Sequence, residues 1–254
     1  MRKYGECPRG VFGKIDAGAY IVQCVILAGG LATRLRPITE RVAKSMIEIC
    51  GRPFLEYQLE LLKGNGIRDV VICVGYLSER IEEYFKDGSE FGVKVTYSRE
   101  QEGLLGTGGA LKNAERLLDR AFFVMYGDSY LPVDYTEVYD YFRNSGAAAC
   151  MTVFRNRSLY DKSNVVFKDG IVEVYDKENP SPAMEYIDYG LTVLSKDLLK
   201  SIPAGEVFDL AGLLRDLAGQ RRLYGYEVHN RFYEIGSVRG LEDFRKYLKE
   251  GERT

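Results

Sequence analysis

Apolar residues recur along this chain in two rhythms. The run at 21–28 (IVQCVILA) is β-branched and nearly continuous, the pattern of a strand buried on both faces, and 69–74 (DVVICV) repeats it. Between them Phe54, Leu55, Leu59 and Leu62 fall at helical spacing behind Pro53, a first-turn residue, and Gly64 and Gly66 predict the stop. Further on, 78–85 reads as a short helix with Ser78 as its cap and 93–97 as a strand. The stretch 110–118 reads as an amphipathic helix, and 121–125 (AFFVM) as a fourth strand ending at Tyr126-Gly127-Asp128. Strand and helix alternating at this tempo predict βαβ units, hence a parallel sheet covered on both faces.

Beyond Asp128 the grammar changes. The pattern predicts strands at 147–154, 186–194 and 223–228, helices at 208–218 and 240–249, and a hairpin whose arms, 165–167 and 171–175, flank Lys168-Asp169-Gly170. The expected fold class is α/β: a Rossmann-like, mixed but mostly parallel central sheet with helices on both faces. No Pro/Ser-rich linker, repeat or low-complexity stretch divides the chain, so residues 21–254 are expected to form one domain with two lobes, 21–130 and 131–240. Residues 1–20 read as an irregular extension, because Gly5, Pro8, Gly10 and Gly13 stand where a signal peptide needs an apolar run.

Composition narrows the function classes. Lys plus Arg number 35 and Asp plus Glu 37, a net charge of -2 that argues against a nucleic-acid partner. No apolar run approaches the roughly 20 residues that span a bilayer, which argues against a membrane partner. The five cysteines (Cys7, Cys24, Cys50, Cys73, Cys150) have no zinc-type spacing, and three lie in apolar runs as small hydrophobes, so a cytoplasmic location is expected. The single histidine, His229, falls near a strand end. It leaves no His-rich metal site and no Ser–His or Cys–His pair elsewhere in the chain.

Ligands of an open parallel sheet bind at the carboxyl ends of its strands. Here that place is held by Leu27 to Met46 (LAGGLATRLRPITERVAKSM). Gly29 and Gly30 allow backbone N–H groups to approach an anion, while Thr33, Arg34, Arg36 and Lys44 add a hydroxyl and positive charge. The spacing matches neither a Walker A loop nor a dinucleotide fingerprint, and on the glycines alone a Gly-rich turn with solvated basic residues is an equal reading.

The whole string resembles the signature of the sugar-1-phosphate nucleotidyltransferases, L-A-G-G-x-G-T-R-L-x-P-x-T followed by P-K. Ala32 replaces the usual Gly and Ala43 the usual Pro. The resemblance implies a nucleotide-binding set of Leu27, Ala28, Gly29, Gly30, Thr33 and Arg34, with Arg34 and Lys44 catalytic and Lys44 bridging triphosphate and sugar phosphate. It continues at Pro53-Phe54-Leu55 and at Glu102 to Leu111 (EGLLGTGGAL), which resembles the family's nucleobase-lining segment and implies contacts from Glu102, Gly106, Thr107 and Gly108. A Gly-rich helix entry is the plain account of that segment, but it holds more glycine than a cap needs, which favours close approach to a ligand.

Asp128 ends an apolar strand and by itself reads better as a turn cap than as a metal ligand. The family's G-D supplies a metal ligand, and Glu234-Ile235-Gly236-Ser237 resembles its late D-x-G-[ST] motif with Glu for Asp. The implied cofactor is Mg²⁺, held by Asp128 and Glu234. Tyr175-Asp176-Lys177 resembles F-x-E-K, and Asp188-Tyr189-Gly190 resembles N-x-G. These imply a sugar-phosphate set of Asp176, Lys177, Asp188 and Gly190, with Asn164 at a position the family keeps small.

The partners implied are an NTP and a sugar-1-phosphate, for a monomer or homodimer, with a lean toward GTP and a mannose- or heptose-type 1-phosphate. UTP- or dTTP-dependent transfer is an alternative. Ala32, Ala43 and Glu234 also motivate a non-catalytic nucleotide-sugar-binding regulatory subunit. A glycosyltransferase ranks last, since Gly127-Asp128-Ser129 lacks the Asp-x-Asp of that class. Many relatives carry a C-terminal β-helix, for which the sequence after Glu234 leaves no room.

Overall fold

The computed structural model describes residues 22–30, 35, 39, 42–100 and 103–251. The expected extension 1–20 and the residues Cys7, Thr33, Arg34, Arg36 and Glu102 lie outside them. The first buried run becomes β1 (Gln23–Leu27), which pairs in parallel with β4 (Asp69–Val74) on one side and β6 (Ala121–Tyr126) on the other. Strand β5 (Lys94–Arg99) extends the parallel set beyond β4. Between β1 and β4 lie the short hairpin β2 (Glu48–Ile49) and β3 (Arg52–Pro53) and helix α1 (Phe54–Gly64). Helix α2 (Ser78–Phe85) leads from β4 to β5, and α3 (Gly106–Ala114) leads from β5 to β6.

Alternation along the strands fixes which helix covers which face. Cys24 and Ile26 of β1, Val70 and Ile72 of β4, and Phe123 and Met125 of β6 pack with Leu55 and Leu59 of α1 and Ile81 and Phe85 of α2. Their neighbours Val25, Val71, Cys73, Phe122 and Val124 point the other way, onto Ala110, Leu111 and Ala114 of α3. A strand with both faces covered has no solvent side for a polar residue, so these runs are apolar beyond their first residues, Gln23 and Asp69.

The sheet then changes direction. Strand β11 (Ile187–Ser195) runs antiparallel between β6 and β8 (Ala149–Phe154), and β12 (Leu223–Val228) lies parallel to β8. The hairpin β9 (Val165–Lys168) and β10 (Ile171–Tyr175) closes the edge through Ile171 and Tyr224. Its turn holds Asp169 at φ 50° and Gly170 at φ 79°, the left-handed pair that an Asp-Gly turn supplies. The nine-stranded order is β5-β4-β1-β6-β11-β8-β12-β10-β9, mixed and mostly parallel as expected. Helix α5 (Leu210–Gly219) joins α3 on one face. The two-residue strands β7 (Ser129–Tyr130) and β13 (Tyr233–Glu234) form a separate antiparallel ribbon, and α6 (Val238–Gly251) follows it. Among the described residues no helix is long and apolar enough to cross a membrane.

Three local expectations need correction. The pattern missed α4 (Tyr135–Ser145), although Asp134 caps it by accepting the N–H groups of Thr136 and Glu137 and Gly146 closes it at φ 66°. Ser78 is not a cap: α2 follows Leu77, which holds φ 58° without a side-chain hydrogen bond. The helix expected at 110–118 begins four residues earlier, at Gly106, and ends at Ala114 in a tighter turn over Glu115–Leu117.

Helix α6 seats Phe244, fully buried, edge-on to Phe54 (5.2 Å) and Tyr57 (5.6 Å) of α1 and against Tyr130 of the ribbon (4.9 Å). This ring ties three elements together. Phe244→Ala is expected to lower the unfolding free energy by about 3–5 kcal/mol in a denaturant titration, the range for deleting a core aromatic.

Candidate active site

The carboxyl ends of β1, β4, β5 and β6 open on a cleft of about 250 Å³. Leu27, Ala28, Gly29 and Gly30 form one wall, Gly106 and Thr107 another, and Tyr126, Gly127, Asp128 and Lys44 the end. Strand ends stay in register here because Ala28 N–H donates to the Cys73 carbonyl and Gly127 N–H to the Leu27 carbonyl, both at 2.9 Å. Gly29 and Gly75 meet so closely that a methyl on either would stand 2.7 Å from Glu100 Oε2. A side chain at either position would force that carboxylate to move.

At the end of the cleft three charges meet. Lys44 Nζ donates to Asp128 Oδ2 in a close ion pair whose side chains are about three-quarters buried. Glu234 joins them through the ribbon: Glu234 faces Ser129 across it, and Ile235 N–H donates to the Asp128 carbonyl at 2.9 Å. A methyl placed on Gly236 would stand 3.1 Å from Lys44 Nζ, 3.2 Å from Glu234 Oε2 and 3.6 Å from Asp128 Oδ2. Two carboxylates from distant parts of the sequence therefore share one small volume with an ammonium.

The Gly-rich segment has a second partner. Phe208 donates its N–H to the Leu105 carbonyl, and its own carbonyl accepts from Gly108 N–H (2.9 Å) and Gly109 N–H (3.0 Å). Thr107 Oγ1 donates to Asp209 Oδ1 at 2.7 Å and accepts from Leu210 N–H at 2.8 Å. Methyl groups on Gly106, Gly108 and Gly109 would meet Phe208 or Glu206 atoms at 2.6–2.8 Å. Close packing against the strap 206–210 thus accounts for these glycines. Gly106 and Thr107 line the cleft, whereas Gly108 N–H is taken by the strap.

The expected sugar-phosphate residues gather beside this cleft. Asp188, only 4% of whose side chain is exposed, accepts from Gly190 N–H and from Tyr175 Oη, each at 2.9 Å, and faces Lys177 Nζ at 3.5 Å. Lys177 also lies over the Tyr126 ring, 5.1 Å from its centre. Burial works against the Lys177 charge, but Tyr126 and Asp188 outweigh it and hold the ammonium above its ordinary pKa. Burial pushes the Tyr126 phenol up to about 12. Asn164 Oδ1 accepts from Asp188 N–H at 2.9 Å, so it braces the carboxylate's backbone. Asp176 faces away, accepting from the N–H groups of Glu178 and Asn179, which hold its pKa low. With Lys177, Phe208, Asp209 and Arg215 it lines a neighbouring groove.

Glu100 escaped the sequence reading. It stands one residue past β5, lines the cleft, and accepts Leu105 N–H on Oε1 at 2.9 Å. Burial raises its pKa, and the Leu105 N–H pulls it back only in part. The available signal was its position at the carboxyl end of a parallel strand, which the more conspicuous Glu102 to Leu111 motif obscured.

The sequence profile of the nucleotidyl transferase family matches residues 23–201. The chain belongs to that family. Among curated members, the D-glycero-alpha-D-manno-heptose 1-phosphate guanylyltransferase of Campylobacter jejuni is 33% identical over 228 residues, covering 89% of this chain and 99% of that protein. The UTP–glucose-1-phosphate uridylyltransferase of Synechocystis is 33% identical over 236 residues, covering 85% of this chain, and this chain spans 61% of its length. The mannose-1-phosphate guanyltransferase of Candida albicans is 30% identical over 233 residues, with 84% and 60% covered.

Among solved structures, HddC from Yersinia pseudotuberculosis complexed with GMP-PN superposes with a TM-score of 0.75 at 24% identity, over 89% of this chain and 99% of that one. The inositol-1-phosphate CTP transferase from T. maritima gives 0.74 at 19% identity, over 91% and 96%. These likenesses show the fold, that of the nucleotide-diphospho-sugar transferases.

Lys44 is the fixed positive charge of the described cleft. Its replacement by Ala in this nucleotidyl transferase is expected to cut turnover at least about 10²-fold, the scale of losing one preorganised charge contact. Steady-state pyrophosphate release would measure it, and a near wild-type rate would remove Lys44 from the mechanism.

Proposed function

We propose that this nucleotidyl transferase family member carries a nucleotidyl group from GTP to a mannose- or heptose-type sugar-1-phosphate, giving a nucleoside-diphosphate sugar and pyrophosphate. The observation that carries the reaction type is the meeting of Lys44, Asp128 and Glu234 at the end of a strand-edge cleft. A polyphosphate needs cationic charge there, and a hard divalent cation needs one or two carboxylates with its other positions left to phosphate oxygens and water. The pair present fits Mg²⁺ on that count. Among the described residues no group of three or more metal-ligating side chains occurs, so the protein alone would not fill the coordination shell.

In the reaction a phosphate oxygen of the sugar-1-phosphate forms a bond to the α-phosphorus while the bond from that phosphorus to the bridging oxygen of pyrophosphate breaks. The nucleophile is already an anion, so no base is required, in keeping with an exposed His229 and buried thiols at Cys24, Cys73 and Cys150. The protein's work is alignment and charge neutralisation. Lys44 faces the α-phosphate from the cleft end. Lys177, kept charged by Asp188, receives the sugar phosphate from the side of Tyr126. Mg²⁺ bound by Asp128 and Glu234 would supply Lewis-acid polarisation and charge neutralisation.

Glu100 supports the choice of guanine. Guanine alone among the common bases offers two adjacent donors, N1–H and N2–H, to a carboxylate, and Glu100 provides a half-buried one over the cleft floor. Uracil and thymine present one donor between two acceptors, which an anionic side chain serves poorly.

Pyrophosphate release measured over a grid of four NTPs against several sugar-1-phosphates, with Mg²⁺, is expected to peak with GTP and a mannose or heptose 1-phosphate. Release with UTP or dTTP instead would overturn the base assignment, and silence in every combination would favour a nucleotide-sugar sensor. Glu100→Gln is expected to lower kcat/KM for GTP about 10-fold or more, the worth of one charged hydrogen bond. Because burial raises the Glu100 pKa, the KM for GTP should rise as pH falls through that value, and the Gln variant should lose this dependence.

A further inference from the structure

Helix α1 covers one face of the sheet with apolar side chains, and at its fifth residue it places a glutamine there instead. Gln58 is fully buried. Its Nε2 donates to the Tyr126 carbonyl at 2.8 Å and to the Ser129 carbonyl at 2.7 Å. Those two carbonyls bracket Gly127-Asp128, so both ends of the turn that carries Asp128 hang on one amide. The Ser129 carbonyl also belongs to the strand that faces Glu234 across the ribbon. One side chain thus reaches the turn that carries one carboxylate and the strand that aligns the other.

The same amide has a feature that packing does not explain. Gln58 Oε1 is buried without a hydrogen-bond partner among the described residues. An orphaned acceptor in a core is destabilising, and an unbranched apolar side chain would fill the same space without it. The position gives up stability and gains two donated hydrogen bonds at one turn.

We propose that Gln58 is a positioning residue: through the Tyr126 and Ser129 carbonyls it sets the separation of the Asp128 and Glu234 carboxylates, and so the affinity of the site for a divalent cation. This rests on the assignment of that cation to Asp128 and Glu234. Gln58 touches no substrate, and its effect is transmitted by backbone alone.

Mn²⁺ alone serves as the probe, its binding to the whole protein read from the loss of the free-ion EPR signal. Gln58→Met keeps length and removes both donations, and is expected to weaken Mn²⁺ binding about 10-fold or more, as loss of a partner behind metal ligands does. The half-saturating Mg²⁺ for pyrophosphate release should rise in parallel, with the KM for sugar-1-phosphate unchanged. Gln58→Asn keeps the amide one methylene short, should fall between the two, and carries the test if the Met variant does not fold. Wild-type Mn²⁺ affinity in a folded Met or Asn variant would overturn the proposal. Asp128→Asn separates the two readings. If it leaves Mn²⁺ binding intact, the metal assignment falls and Gln58's role with it; if it abolishes binding that Gln58→Met leaves untouched, only Gln58 falls.

Discussion

Two carboxylates held within 3.6 Å of a common point repel each other, and the rest of the site is organised around that fact. At an effective dielectric of about 20, unit charges no more than about 7 Å apart cost at least about 2 kcal/mol, a large part of a domain's net stability unless a cation stands with them. Lys44 supplies one, paired with Asp128. The lysine therefore has a structural duty, apart from the chemical one proposed for it. The aromatic wedge of Phe244, Tyr130 and Tyr247 presses the ribbon that delivers Glu234 into this charged neighbourhood.

The second half of the chain answers the same problem differently. Asp188 is almost wholly buried, and both of its oxygens are engaged, by Gly190 and by Tyr175, before Lys177 is considered. A carboxylate so engaged holds the ammonium beside it in place. Asp176, one residue from Lys177, is spent on its own turn. The motif brings Asp176, Lys177 and Asp188 into one neighbourhood, and the hydrogen bonds show what each carboxylate touches there.

Much of the architecture could be read from periodicity. Doubly buried strands such as β1 and β4 have no polar face; the strand at 223–228 was legible to the residue, and the Asp169-Gly170 hairpin to within one residue of its first arm. Helix α4 was not, because its buried face rests on Tyr135, Val138 and Phe142 amid Tyr and charged residues, a stripe too sparse to stand out. The site divided in the same way. Lys44, Asp128 and Glu234 were legible by motif. Glu100 and Gln58 were not, since a lone polar residue at a strand end or in an amphipathic helix has no local pattern, and only tertiary contact reveals what it serves. The glycines at 106, 108 and 109 suggested a ligand by their number, yet their tight neighbour is a strap about 100 residues further along the chain.

The ribbon that joins Ser129 to Glu234 also bears on how the molecule is made. Chains emerge from the ribosome in order, and domains fold as their parts become available. Strands β5, β4, β1 and β6 and Lys44 all precede, in the chain, the strap 206–210 that packs the Gly-rich wall and the strand β13 that carries Glu234. Asp128 then has its lysine but not its second carboxylate. Glu234 joins that pair only through its pairing with Ser129, and the Phe244 ring that packs on Tyr130 lies further along the chain still.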